Sequence, residues 1–380
     1  MGRQILALVS DAFGGHGGIA RYNSDLLCAL SHSAAVSRIV ALPRMQPEPI
    51  GTLPAKVSQL PAIADQIRYS LKAVRLARQM PPGTLLFCGH LLMAPLAGFI
   101  SRLTGQPLWL QVHGIDAWAK PTDRVRWGAR RSDLVTAVSR YTRNQMLANW
   151  WDGSTDRIRV LPNTVDTAYS PGPKSPKIIA RHGLAGRKVI LTVSRLASAE
   201  RYKGHDYVIS ALSQLRLDHP DAVYLIVGGG DGVDYLRSVA QTFDVAGHVI
   251  FAGKVPHEEL PDYFRTADVF VMPSVKEGFG IVFLEAAACG IPVIGGNRDG
   301  SVDALADGEI GTLVDPEDPA MIAKAIDRAF KSSPRDGLKA VARFSKRNFE
   351  QHVGSIIEDL ASGQVETSHG GRRRLEGRVR

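Results

Sequence analysis

Cysteine is scarce in this chain. Three stand among 380 residues, and Cys28, Cys88 and Cys289 sit in apolar contexts without the spacing of a disulfide framework or a metal site. They read as buried thiols of a reducing compartment, and the cytoplasm fits best. No stretch approaches the roughly 20 unbroken apolar residues that a membrane span needs. The run Ile5 to Ser10 is brief and merges into a glycine loop, so it reads as a first buried strand rather than a signal peptide. There is no Asp-x-Asp pair, no His/Cys ligand spacing and no P-loop, so a recognisable divalent-metal clamp or kinase-type phosphate site is missing. The basic excess of +9 comes with only 7% aromatic residues, not interleaved with the cations, which argues against nucleic acid as a partner.

What the chain does have is the profile of a soluble globular protein, 44% apolar and 22% charged, with length for two domains. Short apolar runs alternate with helical patterns throughout, the signature of parallel sheets covered by helices. The first half offers strands at Gln4 to Ser10, Ser37 to Leu42, Thr84 to Cys88, Pro107 to Val112, Leu134 to Ala137 and Ile158 to Leu161. Ser170-Pro-Gly-Pro-Lys-Ser-Pro-Lys177 then breaks the pattern, because three prolines and a glycine sustain no element. Six more strands follow, at Lys188 to Ser194, Ala222 to Val227, His248 to Ala252, Val269 to Met272, Pro292 to Gly295 and Gly311 to Val314. Two doubly wound sheets of this kind are expected to place a ligand cleft at the carboxyl ends of their strands. The predicted division is one doubly wound domain over 1–170, a second over 171–344, a helix over 345–362 crossing back to the first domain with Ser345 as N-cap, and a basic disordered tail over 363–380.

The most informative motif is Glu277-Gly-Phe-Gly-Ile-Val-Phe-Leu-Glu285, two carboxylates eight residues apart across a helix start. Gly278 and Gly280 let the backbone approach a ligand, and the first helical amides would face an anion. At about 1.5 Å per helical residue the carboxylates stand roughly a sugar diphosphate apart. A carboxylate accepts from hydroxyls and repels phosphate, so both should meet sugars. A surface loop before a core helix with one exposed Glu would give the same spacing.

Three weaker signals accompany it. Arg195 ends a strand and Lys203 precedes a helix, and two cations beside a cleft would neutralise charge on a departing diphosphate. His113 follows a strand with Gly114 beside it, in a place to move a proton or orient a sugar hydroxyl. Gly14-Gly-His-Gly-Gly-Ile-Ala-Arg21 is a phosphate-cradle candidate that also fits a dinucleotide fingerprint through Gly15, Gly17 and Ala20. A nicotinamide enzyme is disfavoured, because the loop begins late after its strand and the second strand ends without an acid, as Val40-Ala-Leu-Pro43.

With these residues in place the chain resembles a family-4 glycosyltransferase of GT-B fold, two Rossmann-like domains facing across a cleft. The resemblance runs from Gln4 to Leu360. It rests on Gly14 to Gly18, His113-Gly114, Leu161-Pro-Asn163, Val193-Ser-Arg195, Lys203-Gly204, and above all Pro273 to Gly280 with Glu285-Ala-Ala-Ala-Cys-Gly-Ile-Pro292. It implies that Glu285 binds the nucleotide ribose and that Arg195 and Lys203 grip the diphosphate. Glu277 with the amides of Phe279 and Gly280 would hold sugar hydroxyls, Ile281 and Val282 amides would lie near phosphate, Gly17 and Gly18 beside the phosphates, and His113 on the donor sugar. It implies a retaining, metal-independent hexosyltransferase needing no cofactor, with a GDP- or UDP-sugar as donor substrate and a glycan or polyprenyl-linked acceptor. Two departures stand out. Thr164 takes a position usually glycine, and Ala197 to Tyr202 lengthens the loop, leaving Arg201 and Lys203 both as phosphate candidates, with Lys203 preferred because Gly204 follows it. A nucleotide-sugar epimerase or a non-catalytic nucleotide-sugar-binding protein would use the same donor motifs.

Two basic faces, Arg68, Lys72, Arg75 and Arg78 in one expected helix and Lys120, Arg124, Arg126, Arg130 and Arg131 in another segment, suit an anionic inner-membrane surface or plain solvent.

Overall fold

The computed structural model describes residues 2–332 and 336–362; the expected basic tail over 363–380 lies outside them. These residues divide into two compact units, one holding 2–137, 143–161 and 350–362 and the other 138–142 and 162–349.

The first unit is built on a seven-stranded parallel sheet: β1 (Arg3–Val9), β2 (Val36–Pro43), β3 (Val57–Gln59), β4 (Leu85–Cys88), β5 (Leu108–Val112), β6 (Leu134–Ala137) and β7 (Ile158–Val160) in the order β3-β2-β1-β4-β5-β6-β7. Its central strands read as unbroken apolar runs because helices cover both faces; Ile5 through Val9 are all fully buried. The reversal of strand order between β1 and β4 is the switch point of a doubly wound sheet, outside whose carboxyl ends ligands bind. The second unit repeats the plan with six strands, β8 (Lys188–Val193), β9 (Ala222–Val227), β10 (Val249–Gly253), β11 (Val269–Met272), β12 (Val293–Gly296) and β13 (Thr312–Val314), ordered β10-β9-β8-β11-β12-β13.

The twelve expected strands are all present, with ends shifted by at most one residue. The one not foreseen is β3, three residues long at the sheet edge and too short to show a pattern. It matters to the glycine loop: the Gln59 amide donates to the Phe13 carbonyl at 2.7 Å and accepts from the Phe13 N–H at 3.2 Å. The helix Gln66–Gln79 starts on Asp65, whose carboxylate accepts the Arg68 N–H at 2.7 Å. The last helix, Lys346–Ser362, begins after Ser345, whose hydroxyl oxygen accepts the Asn348 N–H at 3.4 Å. Its later residues group with the first unit, where Asp359 pairs with Arg159 at 2.5 Å and Glu350 with His32 at 2.9 Å. Thr164, at the unusual position, is buried and donates to the Phe344 carbonyl at 2.8 Å, a bond glycine could not make.

Candidate active site

In the second unit, four segments converge beyond the carboxyl ends of β8, β11 and β12. The turn after β8 carries Arg195 at its start and Lys203 at its end. Gly204 closes it with φ of +77°, and a Cβ there would stand 2.3 Å from the Pro273 carbonyl oxygen. Only glycine allows that approach. The turn is laced to the loop after β11 by the Val275 N–H, which donates to the Tyr202 carbonyl at 3.0 Å.

Lys203 therefore faces the Glu277 motif. Its ammonium donates to Glu277 at 3.1 Å and lies 3.9 Å from Glu200, while Arg195 pairs with the other side of Glu200. Burial alone would lower the Lys203 pKa, but Glu277, Tyr202 and Glu200 together raise it, so the side chain stays cationic. Arg201 turns elsewhere, its guanidinium 3.9 Å from the centre of the Tyr235 ring. Of the two candidate cations, the structure sets Lys203 beside Glu277. A small pocket of about 20 Å³ opens next to this turn, lined by Arg195, Glu200, Arg201, His205 and Tyr235 among others.

The helix Ile281–Ala288 starts at Gly280, whose φ is +86° and whose side supplies no cap for the first amides. A Cβ on Gly280 would lie 2.5 Å from the Phe283 ring. The Ile281 and Val282 amides at this start therefore remain available to an anion. Phe279 is buried with its ring edge-on to Phe344 at 5.6 Å, and Glu285 is 6% exposed within the helix.

Asp299 is the residue that sequence reasoning missed. It is fully buried behind the motif, accepting the Ser274 hydroxyl at 2.7 Å, the Glu277 N–H at 2.6 Å and the Ser301 N–H at 2.9 Å. Burial raises its pKa to about 6 against these donors, which lower it. The signal was faint: an acid before Gly300 just past a strand, where a Cβ on Gly300 would meet the Gly278 carbonyl oxygen at 2.1 Å. Glu200 was missed because a carboxylate in a loop of mixed charge has no pattern.

The first unit places its own groups at the carboxyl ends of its strands. The helix Gly17–His32 opens at Gly17, φ +83°, and both Gly17 and Gly18 are exposed with open space where side chains would be. His113 is partly buried after β5; its Nε2–H donates to the Gly89 carbonyl at 2.9 Å, leaving Nδ1 as an acceptor. Burial pushes its pKa down to about 3, with His90 nearby adding to the shift and the Gly89 bond opposing it. The ring is therefore neutral.

Residues 174–351 match the family described as Glycosyl transferases group 1, and residues 16–169 match Glycosyltransferase Family 4. The chain is 35% identical over 292 residues to the GDP-mannose-dependent alpha-(1-6)-phosphatidylinositol monomannoside mannosyltransferase of Mycolicibacterium smegmatis, covering 72% of this chain and 75% of that protein. It is 35% identical over 266 residues to a D-inositol 3-phosphate glycosyltransferase of Acidothermus cellulolyticus, 65% of this chain and 58% of the relative. In three dimensions it resembles Anabaena HepE solved with UDP-glucose, at TM-score 0.72 and 20% identity over 94% of this chain and 99% of the other. Sucrose-phosphate synthase of Thermosynechococcus elongatus aligns at TM-score 0.73 and 23% identity over 95% of this chain and all of that one. The chain belongs to the family-4 glycosyltransferases of GT-B fold. Within them it is related to GDP-mannose-dependent mannosyltransferases.

Proposed function

We propose that this chain is a retaining glycosyltransferase that moves a hexose from a nucleotide diphosphate sugar, with GDP-mannose first among the donors, to a glycan or lipid-linked acceptor in bacterial polysaccharide or glycolipid synthesis. The observation that carries the reading is the half-buried Lys203–Glu277 pair at 3.1 Å beside the uncapped start of the helix Ile281–Ala288. It sets a cation and helix amides, suited to a diphosphate, against a carboxylate suited to sugar hydroxyls. The relative from Mycolicibacterium smegmatis, covered over three quarters of its length, supports GDP-mannose over a UDP-sugar.

In the proposed reaction the bond from the sugar C1 to the diphosphate oxygen breaks and its electron pair leaves with the diphosphate. Arg195, Lys203 and the Ile281 and Val282 amides offset that charge. The acceptor oxygen attacks C1 from the face the diphosphate leaves, and its proton passes to the departing phosphate, so the anomeric configuration is kept. Glu277 and the Phe279 and Gly280 amides hold sugar hydroxyls and Glu285 holds the ribose; in the first unit, Gly17 and Gly18 offer open backbone to an anion and His113 offers Nδ1 to a hydroxyl. The cations take the part that a divalent metal plays elsewhere, so turnover is expected to persist in excess EDTA. Loss of activity in EDTA with rescue by Mn²⁺ would refute this.

Work at a membrane face is part of the proposal. On the helix Gln66–Gln79, Ile67 and Leu71 are 71% and 67% exposed, one turn apart, and Arg68, Lys72 and Arg75 run alongside without a carboxylate partner among the described residues. An apolar stripe flanked by free cations suits an anionic lipid surface. The second basic segment is partly neutralised, Arg126 by Asp123 and Arg130 by Asp152. Flotation with anionic vesicles should therefore fall in Ile67→Glu/Leu71→Glu, and equal recovery would remove the membrane from the reading.

Transfer itself is tested by incubating labelled GDP-mannose and UDP-glucose with membrane lipid extract and reading the product anomer by NMR. Glu285→Ala should raise the donor KM and Glu277→Ala chiefly lower turnover. Unchanged kinetics in both would sink the site assignment, and conversion of donor without acceptor would favour an epimerase.

A further inference from the structure

Behind the two cations runs a line of polar side chains that the reaction above does not use. Ser194 Oγ lies 2.8 Å from His205 Nε2, His205 Nδ1 lies 2.8 Å from the Tyr224 hydroxyl, and that hydroxyl lies 2.8 Å from Thr192 Oγ1, which bonds to the Val271 carbonyl. His205, Tyr224 and Thr192 are 5%, 0% and 1% exposed. The proton order along this line follows from counting hydrogens. The Val271 carbonyl can only accept, so Thr192 spends its hydrogen there and Tyr224 must donate to Thr192. Tyr224 then has none left for His205, whose Nδ1–H donates to the tyrosine oxygen. Nε2 is thereby bare, and the Ser194 hydroxyl, which also stands 3.1 Å from the Arg195 carbonyl, donates to Nε2 at the shorter 2.8 Å. Four bonds run in one direction, and they require a neutral ring. Burial, with the Lys203 charge adding to it, pushes His205 down to about 3 and keeps it so.

The positions of these residues give the line its meaning. Ser194 immediately precedes Arg195, and His205 follows Lys203 by two residues as the first of the helix His205–Leu215. The ring reaches back across β8 and β9 and stops on β11. Both ends of the turn that bears the cations are thus pinned to the middle of the sheet through one side chain. We propose that His205 is a positioning residue for the diphosphate-binding turn: the Tyr224–Thr192 chain fixes the ring so that its bare Nε2 holds Ser194, beside Arg195, without the ring itself meeting the ligand. The inference rests on the reading of Arg195 and Lys203 as diphosphate ligands.

The two ring nitrogens can be tested separately. Glutamine places its Oε1 where Nε2 stands and can still accept from Ser194, whereas asparagine reaches only the Nδ1 position and keeps the Tyr224 contact alone. Calorimetric titration of the full chain with GDP, and with UDP in parallel, should show His205→Asn binding about fivefold to tenfold more weakly, the loss of roughly one net hydrogen bond. His205→Gln should stay within about twofold of the parent protein. Ser194→Ala, at a partly exposed strand end, carries the test should the asparagine variant fold poorly, and should weaken binding as His205→Asn does. The double variant should be no weaker than either single one. Equal losses in the Asn and Gln variants, an unaffected Ser194→Ala, or additive losses would overturn the proposal. Lys203→Ala separates the two readings. If it weakens GDP binding while Ser194→Ala does not, only the positioning role falls; if it leaves binding unchanged, the cation assignment falls and takes the inference with it.

Discussion

At the carboxyl end of the second unit's sheet, Arg195 pairs with Glu200 and Lys203 lies 3.1 Å from Glu277, so ionised side chains face one another in a partly buried place. At the same end of the first unit's sheet stand His113, His90, Asp11 and Asp116, and burial biases three of them toward the uncharged form. It pushes His113 down to about 3 and raises the carboxyl groups of Asp11 and Asp116, against smaller opposing effects. The strand order is shared through six strands, so the backbone does not make this difference. One fold offers the same shelf twice, and the side chains make one shelf charged and the other largely neutral.

The sharpest way to break that comparison is to remove charge from each side. Lys203→Ala should lower kcat by about 10²- to 10³-fold, the usual loss when a pre-aimed donor to a developing charge is deleted. His113→Gln should cost about tenfold or less, since a hydroxyl contact is worth roughly a hydrogen bond. Steady-state kinetics at saturating donor measures both. Equal losses would mean that the first unit also carries leaving-group charge.

The glycines sharpen it further. Gly204 and Gly17 both have positive φ, +77° and +83°, but a Cβ on Gly204 would lie 2.3 Å from the Pro273 carbonyl oxygen, while one on Gly17 would meet nothing within 4 Å. Gly17→Ala should therefore cost only the left-handed strain, about 1 kcal/mol. Gly204→Ala should add a backbone clash for about 3 kcal/mol or more. Thermal unfolding of the two variants checks this, and matching losses would show that the Lys203 turn yields more easily than its packing indicates.

These two glycines also show what the sequence could reveal. The alternation of apolar runs and helices gave both sheets, because a parallel strand buried on two faces must be apolar for its whole length. The edge strand β3 escaped, since three residues carry no period. At the site, Glu277, Glu285 and Lys203 were legible through their neighbouring glycines. Asp299 and His205 were not, because their roles come from partners 11 to 25 positions away in sequence, as in the bonds of Asp299 to Ser274 and Glu277 and of His205 to Ser194 and Tyr224; Glu200 was not, because an acid in a loop of mixed charge has no pattern although Arg195 stands nearby in sequence. A lone acid or histidine carries no mark of the donor that will meet it.

Acid should move the two units in opposite senses. His113 has a folded pKa of about 3, below its unfolded value of about 6.5, so the stability it contributes is present above pH 6.5 and is lost as pH falls toward 3. Asp299 has a folded pKa of about 6, above the ordinary carboxyl value, so its contribution is full below about pH 3.9 and is lost as pH rises through 6. Between pH 4 and 6.5 the melting difference between the parent protein and His113→Gln should grow with pH, and that for Asp299→Asn should shrink. Parallel slopes in calorimetric scans would refute the assignment of opposite shifts.

The smallest expected effect concerns Glu200, which pairs with Arg195 and lies beside Lys203. Arg195 is 77% exposed, so its pair with Glu200 is heavily screened and adds little to stability. Glu200 nevertheless places a negative charge where a diphosphate must bring two more, and it lies only 3.9 Å from Lys203. Glu200→Gln keeps the side chain's shape and removes that competition, so GDP should bind about twofold to threefold more tightly, with the gain fading as salt rises. Weaker binding would show instead that Glu200 aims Arg195 at the ligand, and the second unit's charges would then form a preset frame rather than a set of partners exchanged for the donor.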